Sequence, residues 1–85
     1  MNIFFHPRAE KSLLKISKSN RLKIISHIQE LKVLSHPLQH HQVIKLSGRT
    51  TNDFRLRVGD YRIKFTLAGD KNVLITNIDQ RQTGY

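Results

Sequence analysis

Between Phe54 and Phe65 apolar and basic residues alternate: Phe54-Arg55-Leu56-Arg57-Val58, then Gly59-Asp60, then Tyr61-Arg62-Ile63-Lys64-Phe65. A period of two marks half-buried strands, and Gly-Asp is a favoured two-residue hairpin loop. The stretch predicts a hairpin in which Val58 faces Tyr61, Leu56 faces Ile63 and Phe54 faces Phe65. Those side chains share one face and point to a core. The same register sets Arg57 opposite Arg62 and Arg55 opposite Lys64 on the other face. Like charges directly opposite each other destabilise a sheet by ~0.2–1 kcal/mol per pair. A patch of cations that persists against this repulsion suits a polyanion. The bland alternative is the solvated face of a hairpin in a basic chain.

The chain has 85 residues, enough for one domain, 1–85, with a small core. Its formal charge is +9, from 15 Lys+Arg against 6 Asp+Glu. That excess does not speak to fold, but it argues for nucleic acid or an acidic protein as partner. Cysteine is absent, which excludes disulfides, thiolate metal sites and cysteine nucleophiles. No apolar run approaches the roughly 20 residues of a membrane span, and Ile3-Phe4-Phe5 is too short for a signal-peptide core. A cytoplasmic protein with no membrane partner is expected.

Asn2 to His6 reads as a short strand stopped by Pro7, which suits the first turn of a helix because its missing N–H would be unpaired there anyway. From Pro7 to about Ser17, Ala9, Leu13 and Ile16 fall on one helical face with Leu14 beside them. Ser19 or Asn20 can cap a second helix starting near Arg21, with an apolar stripe of Leu22, Ile25, Ile28, Leu31 and Val33 or Leu34. Pro37 is expected to end it, and the short connection predicts antiparallel packing of the two helices. Leu38 to Gln42 reads as a histidine-rich loop and Val43 to Leu46 as a strand. After the hairpin, a turn at residues 68–72 leads to a last strand, Val73 to Ile78. The order β-α-α-β-β-β predicts an α+β fold. In it a mostly antiparallel sheet carries an N-terminal helical hairpin on one face and leaves the Arg55/Arg57/Arg62/Lys64 face open.

Six scattered acids offer no paired-carboxylate dyad. The five histidines, His6, His27, His36, His40 and His41, show no zinc spacing, and His36 and His40 lie in or beside a loop with no acidic partner nearby, so the histidines read as loop or surface residues. No metal and no cofactor is expected. What remains is the basic hairpin with Arg81 and Tyr85 in the tail. Guanidinium forks bind phosphate and a tyrosine ring can stack on a splayed base, which suits RNA.

Lys45-Leu46-Ser47-Gly48, then Phe54 to Ile63, then Ile78-x-x-Arg81-x-x-x-Tyr85, resembles the RelE/ParE superfamily of type II toxins. The resemblance covers nearly the whole chain and implies the same fold. RelE-like members cut mRNA in the ribosomal A site, whereas ParE-like members inhibit DNA gyrase and lack the cleavage residues. By resemblance, Arg55 and Arg57 stand where the best-known cleaving toxin has two lysines. Arg62 and Arg81 match its phosphate-handling arginines, and Tyr85 matches its C-terminal tyrosine. Lys45, Arg49 and Lys64 would add cations for the RNA backbone.

The implied activity is a ribosome-dependent, metal-independent mRNA endonuclease, held in check by an acidic antitoxin. The alternatives are a gyrase inhibitor or an inactive RNA-binding remnant. Arginine is effectively always protonated, so Arg55 and Arg57 are poor bases and the proton acceptor stays open. Tyr85 is the first candidate and a histidine from the His36–His41 loop the second. The family's usual histidine before the tail arginine is Gln80 here.

Overall fold

The computed structural model describes residues 1–46 and 52–80. In chain order they form β1 (Asn2–Phe5), α1 (Pro7–Leu14), α2 (Lys18–Lys32), a 3₁₀ turn (Pro37–Gln39), β2 (Val43–Lys45), β3 (Asp53–Val58), β4 (Tyr61–Ala68) and β5 (Asn72–Gln80). The five strands make one sheet in the order β1-β5-β4-β3-β2. β1 runs parallel to β5, and every other neighbouring pair is antiparallel. The α+β fold expected from the sequence is the one observed. Among the described residues no helix is long and apolar enough to cross a membrane.

The β3–β4 hairpin has the expected register: Val58 pairs with Tyr61, Leu56 with Ile63 and Phe54 with Phe65. Gly59 adopts φ 57° while no non-glycine residue among the described residues has positive φ, so only the first loop position is left-handed. That is the II′ pattern, in which glycine is needed for its backbone. Space is not the reason, since a Cβ there would meet nothing within 4 Å.

Phe54, Leu56, Val58, Ile63, Phe65, Val73, Ile75 and Ile78 bury the sheet's inner face under Ala9 and Leu13 of α1 and Ile24, Ile28 and Leu31 of α2. Three helical expectations shift. α2 starts at Lys18 behind Ser17, ahead of Ser19 and Asn20. Its stripe is Ile24, Ile28 and Leu31, with Ile25 at the flank, whereas Leu22 is 57% and Val33 85% exposed. Spacings from residue 24 and from residue 25 both reach 28 and 31, so periodicity alone could not choose between the two isoleucines. Pro37 does not end α2, which stops at Lys32; it opens the 3₁₀ turn, capped by the His36 side chain, whose Nδ1 accepts from the Leu38 N–H at 3.1 Å.

His40 corrects the reading of the histidines as loop or surface groups. It is buried, with its Nδ1 accepting the Gln42 N–H at 3.0 Å and its Nε2 3.3 Å from Glu30 Oε1. A ring that accepts at Nδ1 is the neutral Nε2–H tautomer, so the Glu30 contact is a hydrogen bond donated by the ring and not an ion pair. The partner lies one helix away, which is why sequence proximity missed it. His40→Ala is expected to destabilise the fold by about 1–3 kcal/mol, because it leaves part-buried partners unpaired. Glu30→Gln, which keeps an acceptor on a half-exposed side chain, should change much less; equal melting losses in a denaturation series would remove the ring's pairing as the cause.

Candidate nucleic-acid interface

Because Phe54, Leu56, Ile63 and Phe65 point into the core, the residues between them point the other way. Arg57 pairs with Arg62 and Arg55 with Lys64 across β3–β4. Arg55 and Arg62 are half-buried, and Arg57 and Lys64 are exposed. Arg55, Arg57 and Arg62 line a concavity of about 240 Å³ with Gly59 and Asp60 of the hairpin loop. Across β4–β5, Arg62 pairs with Asp79 and Lys64 with Asn77. Even so, no described carboxylate lies within 4.0 Å of any of the four cations; the sole close contact of that kind among the described residues is His40–Glu30. Four cations on one small surface, with no described carboxylate within ion-pair distance, make a surface of the kind that suits a polyanion.

Lys45 is not part of this set. It pairs with Phe54, on the core side of the edge strand, and Ile44 is the β2 residue opposite Arg55. Lys45 is expected from the sequence as an added RNA-binding cation, and its register places it on the other face from the four cations, since a single-residue step along a strand reverses the face. Arg49, Arg81 and Tyr85 lie outside the described residues. Gln80 closes β5 opposite Tyr61 and lines a separate concavity of about 230 Å³ with Asn20 and Lys23. There Tyr61 Oη is 3.5 Å from Asn20 Nδ2, so its hydroxyl faces α2 and not the arginines.

The histidines do not assemble into a ligand set: among the described residues no three His, Cys, Asp or Glu side chains converge as a metal site requires. His27, His40 and His41 lie near one another through ring contacts. His40 and His41 stack at 5.1 Å, and His27 is 6.2 Å from His40.

Arg8 is the basic residue that the alternating pattern gave no reason to single out. It sits at the start of α1, where its N–H donates to His6 Nδ1 at 3.1 Å. Its Nε–H donates to the Thr76 carbonyl of β5 at 3.1 Å, which brings a helix residue to the sheet beside Lys64. No local sequence signal marks it, because the contact is between residues far apart in the chain.

No family model matches the chain. It is 28% identical over 85 residues to a Methanocaldococcus jannaschii protein assigned as toxin RelE1, with 99% of this chain and 93% of that protein covered. In structure it matches a chain of the archaeal RelE–RelB complex of Pyrococcus horikoshii, with a TM-score of 0.79 and 25% identity, over 98% of this chain and 97% of that one. In sequence and in fold the chain is similar to RelE toxins. The isolated RelE toxin of E. coli has the same fold, with a TM-score of 0.79 at 16% identity, over 98% of this chain and 86% of that one. Within this RelE-like fold the sheet face away from the helices holds the arginines, on a hairpin that includes the central strand β4.

Proposed function

We propose that this RelE-like toxin is a ribosome-dependent mRNA endonuclease and that an acidic antitoxin restrains it. The observation that carries the reading is the open four-cation face of Arg55, Arg57, Arg62 and Lys64, unpaired by any described carboxylate. In the reaction the 2′-oxygen of one nucleotide attacks the adjacent phosphorus and the P–O5′ bond breaks. The products are a 2′,3′-cyclic phosphate and a 5′-hydroxyl. The proton leaves the 2′-oxygen for an acceptor, and another is delivered to the departing 5′-oxygen. Negative charge builds on the non-bridging oxygens as phosphorus becomes five-coordinate. Arg62, joined by Arg81 on the family resemblance, neutralises that charge, the kind of term that is usually the largest in catalysis. Arg55 and Arg57 hold the backbone through charge-assisted hydrogen bonds.

No arginine can take the 2′-proton. Tyr85 is the residue we assign to it, with stacking on a base as its second role. Work at the ribosome makes the protein cytoplasmic. The restraint follows from the charge: a chain of +9 attracts an acidic partner quickly and from a distance. The P. horikoshii relative was crystallised as a RelE–RelB complex, and a partner of that kind fits this chain.

Primer extension on mRNA from cells expressing the chain tests the reading. Breaks inside translated codons are expected, with Tyr85→Ala at least tenfold weaker, on the order of one base-stacking contact. Tyr85→Phe, which keeps the ring and loses the hydroxyl, should also be weakened if Tyr85 takes the proton, and near-normal cleavage would move that role to another group. Intact mRNA together with stalled gyrase–DNA complexes would replace the nuclease with a gyrase inhibitor. Intact mRNA and normal gyrase would leave an inactive RNA-binding protein.

A further inference from the structure

The geometry points to a second phosphodiester-binding site built by Arg8 and Lys64, one step along the sheet from the Arg62 site, through which the substrate strand extends. This rests on the nuclease reading above and lengthens its RNA path. A second concavity, of about 420 Å³, is lined by Arg8, Asp53, Lys64, Thr66, Thr76 and Asn77, and its Lys64 is two residues along β4 from Arg62 of the arginine concavity. Arg62, Lys64 and Thr66 stand two residues apart along β4, so successive side chains on this face are about 7 Å from one another. That step suits consecutive phosphates of an extended strand. The track leads from Arg57 and Arg62, past Arg55 and Lys64, to Arg8.

Arg8 is held for this task. Its Nε–H is bound to the Thr76 carbonyl, and its Nη groups donate to no described residue. The carbonyl is available because the β4–β5 register shifts between Lys64 and Phe65. Thr76 and Asn77 thus both stand against Lys64, and Thr76 Oγ1 donates to the Lys64 carbonyl at 3.2 Å. Bulges of this sort re-aim side chains at functional edges. An arginine tied at Nε presents its two outer nitrogens as a fork, the geometry that takes two oxygens of one phosphate. Asp53 would repel a phosphate set against it; it pairs with Thr66 on the β3 side, so the anion is assigned to the Arg8–Lys64 side. No described carboxylate is within 4.0 Å of Arg8.

The same chemistry could be met by substrate RNA or by ribosomal RNA, and binding in solution separates them. Single-stranded oligoribonucleotides of two to six nucleotides, 2′-O-methylated so that no nucleophile is present, are titrated against the purified chain at several salt concentrations. Wild-type affinity is expected to rise with length. Arg8→Gln is expected to bind the dinucleotide as wild type does but to lose the gain with length, and its slope of log K on log salt should fall by about 0.7, one phosphate on a single strand. Lys64→Gln, an exposed position, should lose the same increment, which covers the case in which Arg8→Gln melts early. A flat wild-type length series, or Arg8→Gln equal to wild type at every length, overturns the site. If Arg8→Gln matches wild type on oligonucleotides but cuts mRNA more weakly on ribosomes, the contact is to ribosomal RNA and the substrate path is wrong. Failure of the wild type to cut mRNA at all would remove the nuclease reading, while the oligonucleotide series would still decide the site.

Discussion

Arg62→Ala is expected to lower the rate of mRNA cleavage by about 10²–10³, the usual effect of removing one donor from a developing oxyanion, while the protein melts at the wild-type temperature or slightly above it. The two halves come from one place in the sheet. Arg62 stands directly opposite Arg57 in the β3–β4 register, and relief of a like-charge pair stabilises a sheet by up to about 1 kcal/mol. Asp79, its other cross-strand neighbour, is not within ion-pair distance, so no salt bridge is lost. Most substitutions that remove function also weaken the fold; this one separates them in sign. Arg62→Lys should fall between, since an ammonium keeps the charge and gives up the planar fork. Cleavage at the wild-type rate in Arg62→Ala would mean that the charge on phosphorus is met elsewhere, and the assignment of this face would fall with it.

The hairpin could be read from sequence because everything that determines it is local. Alternation fixes which side chains share a face, and Gly59 fixes where the chain turns. The pairs from Phe54–Phe65 to Val58–Tyr61 follow by counting. What could not be read lies in contacts between distant segments. The choice of Ile24 over Leu22 for the core depends on how α2 is rotated against the sheet. His40 is buried because α2 supplies Glu30 to it, and Arg8 reaches the open face because a bulge in β5 frees the Thr76 carbonyl. The face of Lys45 follows from its register with Phe54, which depends on how β2 pairs with β3 and not on its charge. The roles given to Arg81 and Tyr85 come from family resemblance, as no periodic pattern reaches them.

Phe65→Ala is expected to be the most damaging single truncation in the core. The ring is 1% exposed on the central strand β4 and stacks on Phe54 with centroids 5.5 Å apart and planes 17° apart. Phe→Ala changes at such sites remove about 3–5 kcal/mol, combining lost transfer energy with the cavity left behind. The aromatic pair contributes about 0.5–1.5 kcal/mol of that kind of loss beyond its buried area. Domains of this size hold about 5–15 kcal/mol in total, so the variant keeps only a fraction of its stability. Its midpoint should drop by ~12 °C or more at 4–8 °C per kcal/mol. Phe65→Leu refills most of the space and should cost well under half as much. Toxicity should then follow the folded fraction, returning on cooling in Phe65→Ala but not in Arg62→Ala, whose loss is chemical. A melting shift below about 4 °C for Phe65→Ala would show that the Phe54–Phe65 stack is not the centre of the core.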